Sequence, residues 1–313
     1  MKGRKFLVAI VLIGCWIAPA LAQAPLPVPQ PPPAQRAPLP GAPAPVPVPQ
    51  GAPSYPPAEL DRIASPVALY PDPLLAQVLA AATYSDQIPD AARWADQHHY
   101  LSGPALTSAM AADQVPWDPS VQALLPFPSV LDMMASSMPW TQEIGNAFLT
   151  QPQDVMDAVQ RERQKAVSFG YLRTNPQVRV VSTGRYIEIL PVNPDYIVVP
   201  YYDPAVVYVR PRTGFVVGGA IHFGFGITLG AAFAPWGWRS TSFGWANHAV
   251  IINAAPWRRT WANRVTYVHP YTVRRYPVAA PHAVEQHRAI GRSPAERESE
   301  RKGRDRKEEH HGR

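Results

Sequence analysis

Asp72-Pro-Leu-Leu-Ala-Gln-Val-Leu-Ala-Ala-Ala82 sets the reading of the first half of the folded chain. Leu74, Leu75, Val78, Leu79 and Ala82 recur at helical spacing. Asp72 is placed to cap that helix, and Pro73 takes a first-turn position where a missing N–H costs nothing. The same start recurs at Asp118-Pro119, ahead of Val121, Leu124 and Leu125. Further periodic stretches hold Val130, Leu131, Met134 and Met138, then Ile144, Ala147 and Phe148, then Val155, Met156 and Val159. Gly103-Pro104, Pro126 and Pro139 punctuate them, so residues from Pro57 to Gly170 predict five to seven short helices packed on one another. Trp94, Trp117 and Trp140 stand at equal spacings of 23. An internal repeat would produce that pattern, and so would three core anchors; anchoring is the simpler account.

Beyond Thr174-Asn175-Pro176 the period drops to two. Val178, Val180 and Val181 lead through Thr183-Gly184 into Tyr186-Ile-Glu-Ile-Leu190, the pattern of a hairpin. A turn over Pro191 to Asp195 and a strand over Tyr196 to Tyr202 follow, ending at an Asp203-Pro204 corner. The expected fold class is therefore α+β, a multi-helix module followed by a small antiparallel β-sheet.

From Ile221 to Gly230 the chain alternates strictly, with Ile221, Phe223, Phe225, Ile227 and Leu229 on one side and His222, Gly224, Gly226, Thr228 and Gly230 on the other. That is a strand with one nearly bare face. Yet Thr213 to Trp238 carries no charge over twenty-six residues, is flanked by Arg210, Arg212 and Arg239, and sets Gly226 and Gly230 in a GxxxG relation. A membrane helix would fit that length. The unbroken alternation favours the strand.

Both ends differ from this middle. Lys2, Arg4 and Lys5 precede an apolar run from Phe6 to Ile17, the layout of an export signal. Ala20-Leu21-Ala22 offers a cleavage site before Gln23, whereas Leu12-Ile-Gly-Cys15 resembles a lipobox that would lipidate Cys15. The bulky Trp16 and Ile17 favour the Ala22 cut. Cys15 is the sole cysteine, so either cut leaves the exported product without a disulfide or a thiolate metal ligand. Residues 23–57 contain fifteen prolines and a single charge, Arg36. Such a segment samples extended polyproline II and at about 3.1 Å per residue spans on the order of 100 Å. Residues 285–313 hold nine basic and seven acidic side chains with few apolar ones, the composition of a disordered tail. The expected organisation is a signal peptide over 1–22, a Pro-rich arm over 23–57, the helix-and-sheet module over 58–210, a Gly/aromatic/Arg-rich region over 211–284 and the tail.

Charge separates two of these regions. Residues 57–200 hold eight Lys/Arg against fifteen Asp/Glu, while 201–284 hold eight arginines against Asp203 alone. Five of the nine tryptophans fall between Trp236 and Trp261. Arginine beside aromatic faces suits anionic sugars, phosphates and lipid headgroups through bidentate hydrogen bonds, stacking and cation–π contact. Trp236, Trp238, Arg239, Trp245, Trp257, Arg258, Arg259, Trp261 and Arg264 are the candidate ligand contacts, with an anionic envelope polymer or a membrane surface as partner; export argues against nucleic acid. Equally, the basic region could dock on the acidic helical part of its own chain.

Enzyme signatures are scarce: no HExxH, paired-cysteine or Gly-x-Ser-x-Gly pattern occurs. His98 and His99 are adjacent and point away from one another on a helix. No catalytic, cofactor or metal residue is assigned, and no cofactor is expected. Asp72, Asp86, Asp90, Asp96 and Asp118 would serve a hydrolase only if two or more converged in a pocket. An assembly partner of another secreted protein is a third class.

Glu59-Leu-Asp-Arg-Ile-Ala-Ser-Pro-Val-Ala-Leu-Tyr-Pro-Asp-Pro-Leu-Leu-Ala-Gln-Val-Leu79, with Val115-Pro-Trp-Asp-Pro119 and Val198-Val-Pro-Tyr-Tyr-Asp-Pro204, resembles the bacterial family known as domain of unknown function 3300, over roughly residues 57–210. The resemblance implies an exported Gram-negative envelope protein and brings no activity or catalytic residue. The expectation is thus a non-enzymatic binding or scaffold module of the envelope.

Overall fold

Proline opens the helices. Its fixed φ suits the first turn, and its missing N–H removes a donor that would have no partner there. In the computed structural model, which describes residues 51–212, 219–224 and 226–270, eight helices occupy the first half: α1 (Pro57–Ala64), α2 (Asp72–Ala82), α3 (Ile88–Gln97), α4 (Gly103–Ala112), α5 (Pro119–Ala123), α6 (Pro128–Ser136), α7 (Met138–Thr150) and α8 (Pro152–Ser168). Each carries a proline at its first or second position. Pro104 and Pro139, expected as breaks, are therefore starts, and the expected five to seven helices become eight. The expected signal segment, Cys15, the arm as far as residue 50 and the tail from 285 lie outside the described residues.

At the centre lies α2. Every residue of it except Pro73 is buried, so the expected apolar stripe is a helix apolar nearly all round, and a helix of that kind must be covered on every side. Helices α5 and α7 cover part of it, and strands from the second half cover the rest. Against α7 the fit depends on Gly145, where an added Cβ would stand 2.1 Å from the Ala82 carbonyl oxygen.

The sheets are small and antiparallel. The hairpin of β1 (Val178–Ser182) and β2 (Ile187–Pro191) pairs Val178 with Pro191 and Ser182 with Ile187, turning at Gly184 with φ of 77°, a region that favours glycine. Next come β3 (Tyr196–Ile197), β4 (Pro200–Tyr202) and a short α9 (Pro204–Val207), capped by the Asp203 carboxylate accepting from Ala205 N at 2.8 Å. The alternating stretch forms β5 (Ile221–Phe223) and β6 (Ile227–Thr228), and these do not pair with each other: β5 joins β4, and β6 joins β3. Residues 213–218 and Phe225 lie outside the described residues. Among the described residues, no helix is long and apolar enough to cross a membrane. A last sheet orders β7 (Ser242–Gly244), β8 (Ala249–Ile252) and β9 (Ala255–Pro256).

One buried cluster draws from both sides of residue 210. Leu229, Phe233, Trp236, Trp238, Phe243, Trp245, Val250 and Ile252 join the side chains of α1, α2 and α5–α8 in it. A second cluster seats Val178, Ile187, Ile189, Val198 and Val207 against Leu69 and Ala166. Tyr202 and Tyr208 tie the sheet to the loop after α1, both donating to Ser65 O at 2.9 and 3.0 Å. Trp94, Trp117 and Trp140 pack against the main cluster as anchors, Trp140 donating from Nε1 to Ile63 O at 2.8 Å.

Candidate functional site

Residues 257–268 form an ordered loop without regular secondary structure. It leaves β9 with Trp257 N donating to Val250 O, and Trp261 N then donates to Leu149 O at 2.9 Å, pinning the loop to the end of α7. Asn263 organises its turn. The Asn263 Oδ1 accepts from Thr260 N at 2.7 Å, its Nδ2 donates to Arg258 O at 2.9 Å, and its carbonyl accepts from Thr266 N and Tyr267 N. Such side-chain-to-backbone closure is what asparagine supplies in turns. Arg258 N donates to the Tyr267 hydroxyl at 3.3 Å, closing the loop on itself.

Three arginines in this loop have different duties. Arg259 is structural: it donates to Thr83 O, to Thr83 Oγ1 at 2.7 Å and to Arg264 O at 2.7 Å, and its guanidinium lies 3.5 Å from the Tyr84 ring centroid. Burial pushes its pKa down, while Tyr84, Asp118 and Asp86 oppose that shift electrostatically. Arg264 stacks over Trp261 at 3.8 Å and donates to Trp261 O. Arg258 is exposed, and no ion pair holds its guanidinium among the described residues. Outside the loop, exposed Arg239 engages Asp195 through both Nε, at 2.6 Å, and Nη2. That pair holds the Asp195 carboxyl below its usual value.

The indoles need a correction. Trp236, Trp238 and Trp245, expected to contact a ligand, are core side chains at 7, 3 and 3% exposure. Trp238 packs 5.2 Å from the Phe127 ring, and Trp245 stacks on Phe243 at 4.3 Å. Trp257 is half-buried between Phe148 and Tyr267, and Trp261, likewise half-buried, stands beside the loop cations. Aromatic and arginine clustering marks an interface and a core alike, and burial is what separates them. Part of the basic region does pack on its own chain, through Arg259 on Thr83 and Tyr84.

Asp72 is likewise no cap. Its Oδ1 accepts from Arg163 Nη1 at 2.7 Å and Ile189 N at 3.3 Å, and its Oδ2 accepts from Trp245 Nε1 at 3.0 Å. Arg163, fully buried, also donates to the carbonyls of Ala68, Tyr70 and Ile187 and lies 4.9 Å from the Trp245 ring. Buried charges persist when they are paired and their remaining hydrogen-bonding capacity is used, as here.

The other acids are occupied locally or exposed. Asp118 caps α5, accepting from Ser120 N at 2.9 Å; Asp90 pairs with Arg93 on the surface; Asp86 and Asp96 are exposed. His98 stacks on Trp94 with its Nδ1 2.8 Å from Trp94 O, and His99 turns to Asp96 O. No group of three or more potential metal ligands occurs among the described residues. An open groove of about 220 Å³ lies between residues 171–175 and 219–223. Its Thr174 and Asn175 side chains already serve Val180, Gln177 and Val178 of the adjoining turn.

Residues 56–272 match the model of a family described as Protein of unknown function (DUF3300). The Uncharacterized protein YacH of Escherichia coli (strain K12) is 37% identical over 183 residues, which cover 48% of this chain and 29% of that protein. The chain thus spans under a third of that relative's length. No solved structure matches it.

Proposed function

This chain belongs to the DUF3300 family of proteins of unknown function, and we propose that it acts as a non-enzymatic binding module of the cell envelope, exported by its amino-terminal signal and contacting an anionic envelope component. The observation that carries this reading is the pinned 257–268 loop, which presents Arg258 and the Arg264–Trp261 stack while Arg259 holds the loop to the helices. A guanidinium beside an indole offers paired donors and a polarisable face to phosphate or carboxylate. From Pro204 to Val284 the chain has no acidic residue to compete for those cations. The basic start and apolar run ahead of Ala22 support export, and the proline arm then serves as a spacer.

The test combines Arg258→Gln with Arg264→Gln and leaves Arg259 in place, since it bonds Thr83. Retention on lipopolysaccharide, peptidoglycan and anionic-lipid fractions is expected to fall about thirtyfold, at about 1 kcal/mol for each of two cations lost near an anionic surface. Unchanged retention on all three would sink the reading.

A further inference from the structure

The same loop carries two side chains that an anionic polymer would not use. Val265 is 89% exposed and Val268 is 65% exposed. A single exposed valine on a protein surface is ordinary. Here two stand on a loop held by the Asn263 hydrogen bonds and by Trp261 N on Leu149 O, so they are presented by a fixed scaffold rather than a frayed end. Arg264 adjoins Val265 in sequence and stacks on the half-buried Trp261, and Arg258 N meets the hydroxyl of Tyr267, the neighbour of Val268.

We infer that this loop is a lipid-contacting wedge: Val265 and Val268 enter the interfacial zone of a bilayer bearing anionic headgroups, Arg258 and Arg264 meet the phosphates, and Trp261 sits at the boundary. The inference rests on the proposed anionic contact and names its source as a membrane. The chemistry selects lipid over polysaccharide. A branched aliphatic side chain has no flat face for a sugar ring and no hydrogen bond to offer, but it gains by leaving water for the acyl boundary. Indole prefers that boundary, and arginine stems lie along apolar surface while their heads stay with phosphate. Because the loop is already folded, little ordering entropy opposes insertion.

The experiment uses the full protein and sedimentation with vesicles of phosphatidylglycerol and phosphatidylcholine, pure phosphatidylcholine vesicles, and a dextran sulfate column. The variants are Val265→Ser with Val268→Ser, exposed positions whose change leaves the core intact, and circular dichroism checks that they fold. Binding to the anionic vesicles, weakened about tenfold by the two serines while dextran sulfate retention is unchanged, is the expected result. Equal vesicle binding by wild type and the serine variant overturns the wedge and leaves the anionic contact standing. So does retention on dextran sulfate without vesicle binding. Failure to bind any of the probes overturns both.

Discussion

Asp72 takes hydrogen bonds from Arg163, Ile189 and Trp245, so one carboxylate joins α2 to α8, to β2 and to the turn after β7. Removing its charge while keeping its shape leaves Arg163 buried without a counter-ion. Asp72→Asn is expected to cost about 3–5 kcal/mol in urea unfolding. Asp118→Ala, which loses the bonds from Ser120 N and Ser120 Oγ, is expected to cost about 1–2 kcal/mol. Arg163→Met would not relieve Asp72→Asn, since the carbonyls of Ala68 and Tyr70 would then lose their side-chain donor, while Ile187 O would keep only Gln160 Nε2. A double variant as stable as the wild type would refute this account. The two Asp-Pro pairs look alike in sequence because a cap is a local matter, decided within three residues. The Asp72 partners lie 91, 117 and 173 positions away, and nothing in the neighbouring residues encodes that distance. Trp245 was hidden by the same limit: an indole near arginines reads as surface until its burial is known.

Helix starts were more legible than helix identities. Prolines mark where the chain changes direction, yet several signal a first turn rather than a stop, Pro104 at the head of α4 among them. In α3 the buried face is Ile88, Ala91 and Ala95, at helical spacing but mostly small side chains, with Asp90, Arg93 and Asp96 outward. Hairpin β1–β2 was readable because its pairing is local, while β5 and β6 were recognisable as strands but their partners β4 and β3 were not. At this scale Gly145 is the sensitive point. Gly145→Ala would drive a methyl group into the Ala82 carbonyl and force α7 away from α2. The expected loss is about 1–3 kcal/mol, read as a lowered midpoint in thermal unfolding; an unchanged midpoint would mean the two helices can slide apart freely.

At the scale of the whole molecule, burial has raised the pKa of Tyr70, Tyr84, Tyr202 and Tyr208 above the ordinary 10.0, desolvation being the largest cause for each. Below about pH 10 folded and unfolded chains both hold these protons, and the phenols confer no pH dependence. Above it the unfolded chain releases them first, so stability falls as pH rises, by about 1.4 kcal/mol per pH unit for each phenol. Urea midpoints measured from about pH 8 to about pH 11 should hold level and then drop steeply, with tyrosinate absorbance from these side chains appearing only on unfolding. Tyrosinate appearing at the ordinary pKa in a chain that stays folded would contradict their burial.

The coat around α2 also sets a timetable. The helix forms early in the chain, but its cover includes Phe243, Trp245, Val250 and Ile252, and Asp72 waits 173 residues for its Trp245 donor. A growing chain shorter than that holds a greasy rod it cannot wrap, and contacts so distant in sequence make closure slow. Such a polypeptide stays open until nearly all of it has emerged, a state suited to being threaded and hazardous if left unattended.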